Sequence, residues 1–131
     1  MILVIDIDGV IAITPEPFRE GIYEQCKPVR GAAKSTRKLT KKGHTIILHT
    51  ARHEGDRRVT KNWLFDNGFT YDKLVMGKPL GDVYIDDKAL RFRNWFQTLR
   101  VLLRREYERN KKRRSAILRG NGQFGCMGNL K

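Results

Sequence analysis

The chain has 131 residues, a length that suits one compact domain with an appendage and excludes two separate cores, since domains most often run to about 100–150 residues. Its net charge of +13 is unevenly spread: residues 1–87 hold 14 Lys/Arg against 12 Asp/Glu, whereas residues 88–131 hold 13 against 2. No apolar stretch approaches the roughly 20 residues that a membrane-crossing helix needs, and Cys26 and Cys126 have no metal-ligand spacing, so a membrane span and a cysteine-based metal centre are both excluded.

Met1 to Ile5 is apolar and runs straight into Asp6 and Asp8 with no basic segment ahead of it, so it reads as a buried strand and not as a signal peptide. Gly31-Ala32-Ala33-Lys34 to Lys42 places Ala32, Ala33, Thr36 and Leu39 at turn-like spacing, which predicts a helix that Gly43 ends. Thr45-Ile46-Ile47-Leu48 is a second continuous apolar run. A second helix follows, with Val59, Trp63 and Leu64 on one face and Gly68 closing it, then a short strand over Lys73-Leu74-Val75-Met76. Val83-Tyr84-Ile85 is a third apolar run. Runs of this kind suit strands buried on both faces of a parallel sheet. From about Phe92 to Arg114 the pattern is one long helix, with an apolar stripe of Trp95, Leu99, Leu102 and Leu103 amid Arg100, Arg104, Arg105 and Arg109. Lys111-Lys112-Arg113-Arg114 is a charge block, and the glycine-rich segment from Gly120 is expected to fray. The alternation predicts an α/β fold, a doubly wound, Rossmann-like and mostly parallel sheet, with a basic C-terminal helix. Residues 1–95 are expected to form the domain and residues 96–131 its basic helical extension. A cytoplasmic, soluble protein with reduced thiols is expected.

Four short elements carry chemistry. Asp6-Ile7-Asp8-Gly9 stands where the first strand stops, so both carboxylates can converge on one centre while Gly9 permits the tight turn. A calcium loop does not fit: counted from Asp6, the positions that need glycine and glutamate hold Ile11 and Pro17. Thr50-Ala51-Arg52 leaves the second strand, where a hydroxyl and backbone N–H groups can hold phosphate oxygens. Lys78 precedes Pro79, which disfavours helix and puts the lysine on a loop. Asp86 and Asp87 are adjacent acids that repel one another unless a cation or a lysine compensates.

In order and spacing these elements resemble the four motifs of the haloacid dehalogenase (HAD) superfamily phosphatases: Asp6-Ile7-Asp8-Gly9 the first, Thr50 the second, Lys78 the third, and Asp86-Asp87 the fourth. The likeness spans residues 1–95 and departs at Val10, where many relatives carry threonine. It implies a HAD-like fold and a phosphoric monoester hydrolase in which Asp6 attacks phosphorus and forms an aspartyl-phosphate. Asp8 would then protonate the leaving oxygen and later deprotonate water. The likeness further implies Mg²⁺ held by Asp6, the Asp8 carbonyl and Asp87. Thr50, Ala51, Arg52 and Lys78 would bind the phosphoryl group, and Asp86 would orient Lys78. Which of Asp86 and Asp87 touches the metal is left open. Only 41 residues separate Asp8 from Thr50 and 27 separate Thr50 from Lys78, so the resemblance is to the small capless branch.

The substrate is left open among nucleic-acid ends, nucleotides and sugar phosphates, and oligomerisation is open as well. Residues 88–119 are dense enough in positive charge to attract nucleic acid, and equally suit a solvated helix face. Two readings from other classes stand beside the enzyme: a nucleic-acid-binding module on a HAD-like scaffold, and an interaction subunit whose long helix docks on a protein partner. Trp63 and Trp95 read as core residues.

Overall fold

The computed structural model describes residues 1–120 apart from Phe18 and Glu20; Cys126 and the glycine-rich segment beyond Gly120 lie outside the described residues. Strand β1 spans Ile2–Asp6. After it come two short strands, β2 (Ala12–Ile13) and β3 (Lys27–Pro28), which pair antiparallel around a 3-10 turn at Ile22–Gln25. Helix α1 (Ala32–Lys41) leads to β4 (Thr45–His49), and a 3-10 turn at Glu54–Asp56 opens α2 (Arg57–Asp66). Strand β5 (Lys73–Val75) and helix α3 (Trp95–Gly120) complete the described chain.

The main sheet is wholly parallel in the order β1-β4-β5, so the α/β fold class expected from the sequence holds. Its register sets Ile2 beside Thr45 and Asp6 beside His49, and Leu48 beside Leu74. Two consecutive strands therefore end level with one another, which is where open α/β sheets place their ligands. Helix α1 packs on β4 and buries Ala32, Thr36 and Leu39 as the sequence marks, with Ser35 buried in place of the half-exposed Ala33. Helix α2 buries Thr60, Trp63 and Leu64 and packs against the Ile22–Gln25 turn, where the Trp63 indole N–H donates to the Cys26 carbonyl at 2.8 Å. Both helices stop at a glycine in the left-handed region, Gly43 at φ 79° and Gly68 at φ 69°.

Three expectations need correction. The β1 run is not buried on both faces: Ile5 is buried, whereas Ile2 and Val4 are 69% and 62% exposed. Strand side chains alternate between faces, and only one face of β1 is covered. The Val83-Tyr84-Ile85 run is neither strand nor core, with exposures of 76%, 52% and 98%. Local bonds compete for it: the Tyr84 hydroxyl donates to the Pro79 carbonyl at 2.6 Å and accepts from the Gly81 N–H at 3.3 Å, folding the loop back on itself. The long helix begins at Trp95 and runs to Gly120, past the end expected near Arg114.

The chain divides into two compact units, Met1–Thr98 and a second from Leu99 onward. In the first, Trp95 is buried, and its indole N–H donates to the Val10 carbonyl at 2.9 Å, tying the start of α3 to the loop after β1. In the second, α3 turns Arg104, Arg109, Lys112 and Arg113 along one face. Among the described residues no helix is long and apolar enough to cross a membrane.

Candidate active site

The loop after β1 is built by one carbonyl. Ile7 O accepts from Val10, Ile11 and Ala12 at 3.2, 2.9 and 2.9 Å, which curls the chain back at once, and Gly9 takes the left-handed conformation (φ 82°) that this turn requires. Asp6 and Asp8 therefore both stand where the strand ends and the chain turns. Asp6 stays half-exposed, accepting from the Ile7 N–H at 2.9 Å through Oδ1 and from the Lys78 ammonium at 3.1 Å through Oδ2.

The loops after β4 and β5 are laced to one another by backbone bonds. Thr50 N–H donates to Val75 O at 3.0 Å, Lys78 N–H to Thr50 O at 2.8 Å, and Gly77 N–H to Arg52 O at 2.9 Å. Gly77 adopts φ 73° at this crossing. The lacing fixes where Lys78 leaves the backbone, and its ammonium group lies 4.1 Å from the centre of the Tyr84 ring. An exposed stretch of chain thus sends one lysine to Asp6.

Asp8 is held more tightly than Asp6. Its Oδ1 accepts from Arg52 Nη2 at 2.7 Å and from the Thr14 hydroxyl at 2.5 Å; its Oδ2 accepts from Arg52 Nε at 3.0 Å and from the Thr50 hydroxyl at 3.4 Å. Burial alone would raise its pKa, but the hydrogen bonds of Arg52 and Thr14, the charge of Arg52 and the Thr50 bond outweigh it and hold the carboxyl below its ordinary value. Asp8 is a carboxylate at neutral pH. Thr50 is fully buried, and its hydroxyl is turned inward, since it also accepts from the Arg52 N–H at 3.2 Å. Ala51 is half-exposed beside it.

Four of the expected site residues, Asp6, Asp8, Thr50 and Lys78, therefore converge. Arg52 joins them, but its guanidinium faces inward onto Asp8. Asp86 and Asp87 are not brought in: both are exposed, and Asp86 Oδ1 accepts from the Lys88 N–H at 2.6 Å within its own turn. No three Asp, Glu, His or Cys side chains gather as a metal-binding group among the described residues. The donors at hand, one half-exposed carboxylate and carbonyl oxygens, suit a hard cation in kind but fall short in number. Thr14, Tyr23 and Thr60, which surround Asp8 and Arg52, were not singled out from the sequence, and Cys26 was read only for its lack of metal-ligand spacing. Their only signal is closeness to a charged pair, and it is invisible before the fold is known.

Comparison with known proteins supports the architecture. No family model and no curated protein matches the chain. Among solved structures, an MCSG target from Vibrio cholerae is 26% identical with a TM-score of 0.57, over 69% of this chain and 82% of that one. A chain of the Pnkp1/Rnl/Hen1 complex is 22% identical with a TM-score of 0.52, over 65% of this chain but only 30% of that one. A chain of the Pnkp1/Rnl/Hen1 RNA repair complex gives the same identity and TM-score over 63% of this chain and 27% of its own. These likenesses carry the α/β fold.

Proposed function

We propose that this chain is a Mg²⁺-dependent phosphomonoester hydrolase that works through an aspartyl-phosphate on Asp6. The observation that carries the reading is the pairing of a half-exposed Asp6 carboxylate with the Lys78 ammonium, at 3.1 Å, at the carboxyl end of a parallel strand. Asp8 stands one residue beyond. Lys78 places positive charge where the phosphoryl oxygens arrive, and on substrate binding it can divide its donors between Asp6 and those oxygens. The Asp6 carboxylate forms the new bond to phosphorus as the bond to the leaving oxygen breaks. Asp8 takes up a proton from the monoanionic substrate as it binds, gives it to that oxygen, then takes one from the water that cleaves the aspartyl-phosphate and restores Asp6. The arriving phosphoryl charge raises the pKa of Asp8 and so helps it to carry the proton.

Asp6, the Asp8 carbonyl and Asp87 would hold Mg²⁺, which when bound offsets the repulsion between anionic nucleophile and anionic substrate. For Asp87 to serve, its segment must come to the site. The capless outline leaves room for a large substrate: among the described residues, the stretch between Asp8 and Ala32 holds only the β2–β3 ribbon and a 3-10 turn. We take the end of a nucleic acid as the substrate class, on the strength of the basic face of α3. Nucleotides and sugar phosphates are the alternatives.

The deciding assay is hydrolysis of a generic phosphate ester with Mg²⁺, with a chelator, and with Ca²⁺ in its place. Turnover should need Mg²⁺, be poorly supported by Ca²⁺, and fall at least ~10³-fold in Asp6→Asn, about 4 kcal/mol in the barrier, with the fold intact. A folded Asp6→Asn protein that keeps most of its activity would falsify the nucleophile assignment. A second reading, a nucleic-acid-binding module on a HAD-like scaffold, draws on the separation of Asp86 and Asp87 from Asp6. It gains if the wild type binds oligonucleotides and hydrolyses no ester.

A further inference from the structure

A buried guanidinium is costly unless its donors are met, and the side chain of Arg52 is 1% exposed. Its donors are all turned into the protein. Nε and Nη2 grip the two oxygens of Asp8 at 3.0 and 2.7 Å, the parallel two-bond geometry that fixes a carboxylate in direction as well as distance. Nη1 donates to the Thr60 hydroxyl of α2 at 3.2 Å, and Nη2 also reaches the Cys26 thiol at 3.7 Å. The Tyr23 ring covers the guanidinium face at 3.9 Å. The arginine is thus seated by residues from three separate parts of the chain, and what it presents to the site is a single carboxylate.

We infer that Arg52 is a positioning residue that aims the Asp8 carboxylate, and that it does not itself bind the phosphoryl group. To reach a substrate oxygen it would have to release Asp8, leave the Thr60 hydroxyl and move from under Tyr23. A planar, five-donor group suits this task where lysine does not, because an ammonium offers a point charge with no fixed fork. Thr14 and Thr50 complete the grip, each donating to one Asp8 oxygen. The inference rests on the proposed acid and base role of Asp8, and it removes Arg52 from the phosphate-binding set that the sequence suggested.

The test compares kcat and KM of wild type, Arg52→Lys and Arg52→Gln on two esters. One is an alkyl phosphate, whose leaving oxygen must be protonated; the other is a nitrophenyl phosphate, whose leaving group departs without a proton. Positioning of Asp8 predicts a kcat loss on the alkyl ester of at least ~10²-fold, the usual scale of a lost proton transfer. On the nitrophenyl ester the burst of nitrophenol that precedes hydrolysis of the aspartyl-phosphate should slow much less, and KM on both should stay within about twofold. Arg52→Lys, which keeps the charge, should restore little. A rise in KM with kcat preserved would make Arg52 a phosphate ligand and overturn the inference. So would a slowing of the nitrophenol burst equal to the loss on the alkyl ester, or failure of both variants to fold, since either outcome makes the arginine a structural anchor. If the wild type hydrolyses neither ester, the hydrolase reading itself fails and this inference with it; wild-type turnover followed by any other adverse result sinks this inference alone.

Discussion

Asp8 and Asp6 stand two positions apart yet have different surroundings, and the proposed roles draw on that difference. Asp6 keeps a half-exposed carboxylate with one lysine partner, as a nucleophile needs; Asp8 is gripped through both oxygens and turned by its neighbours. The same grip has a consequence for acid stability. Because the folded pKa of Asp8 lies below its ordinary value of 3.8, the folded state binds this proton less readily than the unfolded chain. Its contribution is fully present above that ordinary value and is lost as pH falls through the lower folded value. Denaturant midpoints measured between neutral pH and pH 3 should therefore drop more steeply for wild type than for Asp8→Asn. Parallel curves for the two proteins would remove Asp8 from the list of groups that set acid stability.

At the scale of the element, β1 is an edge strand whose outer side pairs with no described strand, and Ile2 and Val4 stand exposed on it. The β-branched run at Val83 and Ile85 is exposed as well, and Asp86 and Asp87 follow it directly. If Asp87 is a metal ligand, Mg²⁺ should draw this segment into backbone pairing, because a new ladder would satisfy main-chain groups that now face water. Amide exchange at residues 83–85 should slow at least ~10-fold on adding Mg²⁺, equivalent to about 1.4 kcal/mol of protection, and should not slow in Asp87→Ala. Asp87→Ala should also raise the Mg²⁺ requirement for turnover more than Asp86→Ala does. Exchange at these amides that ignores Mg²⁺, or a reversed order of the two alanine variants, would return the metal assignment to Asp86 or to neither.

For the whole molecule, charge is the organising fact. Residues 1–87 carry +2, and residues 88–131 carry +11. Under the proposed function, a hydrolase without a cap gains affinity for a macromolecular substrate from elsewhere, and the expectation is that the basic helix supplies it without sequence readout. Each phosphate engaged displaces roughly 0.7 to 0.9 of a condensed counterion, so turnover of a phosphorylated oligonucleotide should weaken steeply with salt while a small ester responds little. Replacing Lys111, Lys112, Arg113 and Arg114 with serine should raise KM for the oligonucleotide and leave the small ester unchanged. Equal kcat/KM for wild type and the fourfold variant on both substrates at low salt would reduce the basic helix to a solubilising face.

What the sequence determined by itself was local. Apolar runs that end in Asp6 and Thr50, helices stopped by Gly43 and Gly68, and a buried Trp63 all follow from periodicity and turn chemistry within a few residues. The placing of Asp6, Asp8, Thr50 and Lys78 at one sheet edge was legible too, because parallel strands joined by right-handed crossovers leave their carboxyl ends together. Tertiary structure decided the rest. Arg52 follows Thr50 in a loop, and the resemblance implied a place for it on the phosphoryl group; only the closing of Asp8, Thr60, Cys26 and Tyr23 around it, from distant parts of the chain, turned its donors inward. Val83-Tyr84-Ile85 has the composition of a buried strand, but composition does not supply a partner. Whether such a run becomes core depends on the free energy of pairing against that of its own local bonds, and here the Tyr84 hydroxyl and the Pro79 carbonyl hold the loop in water.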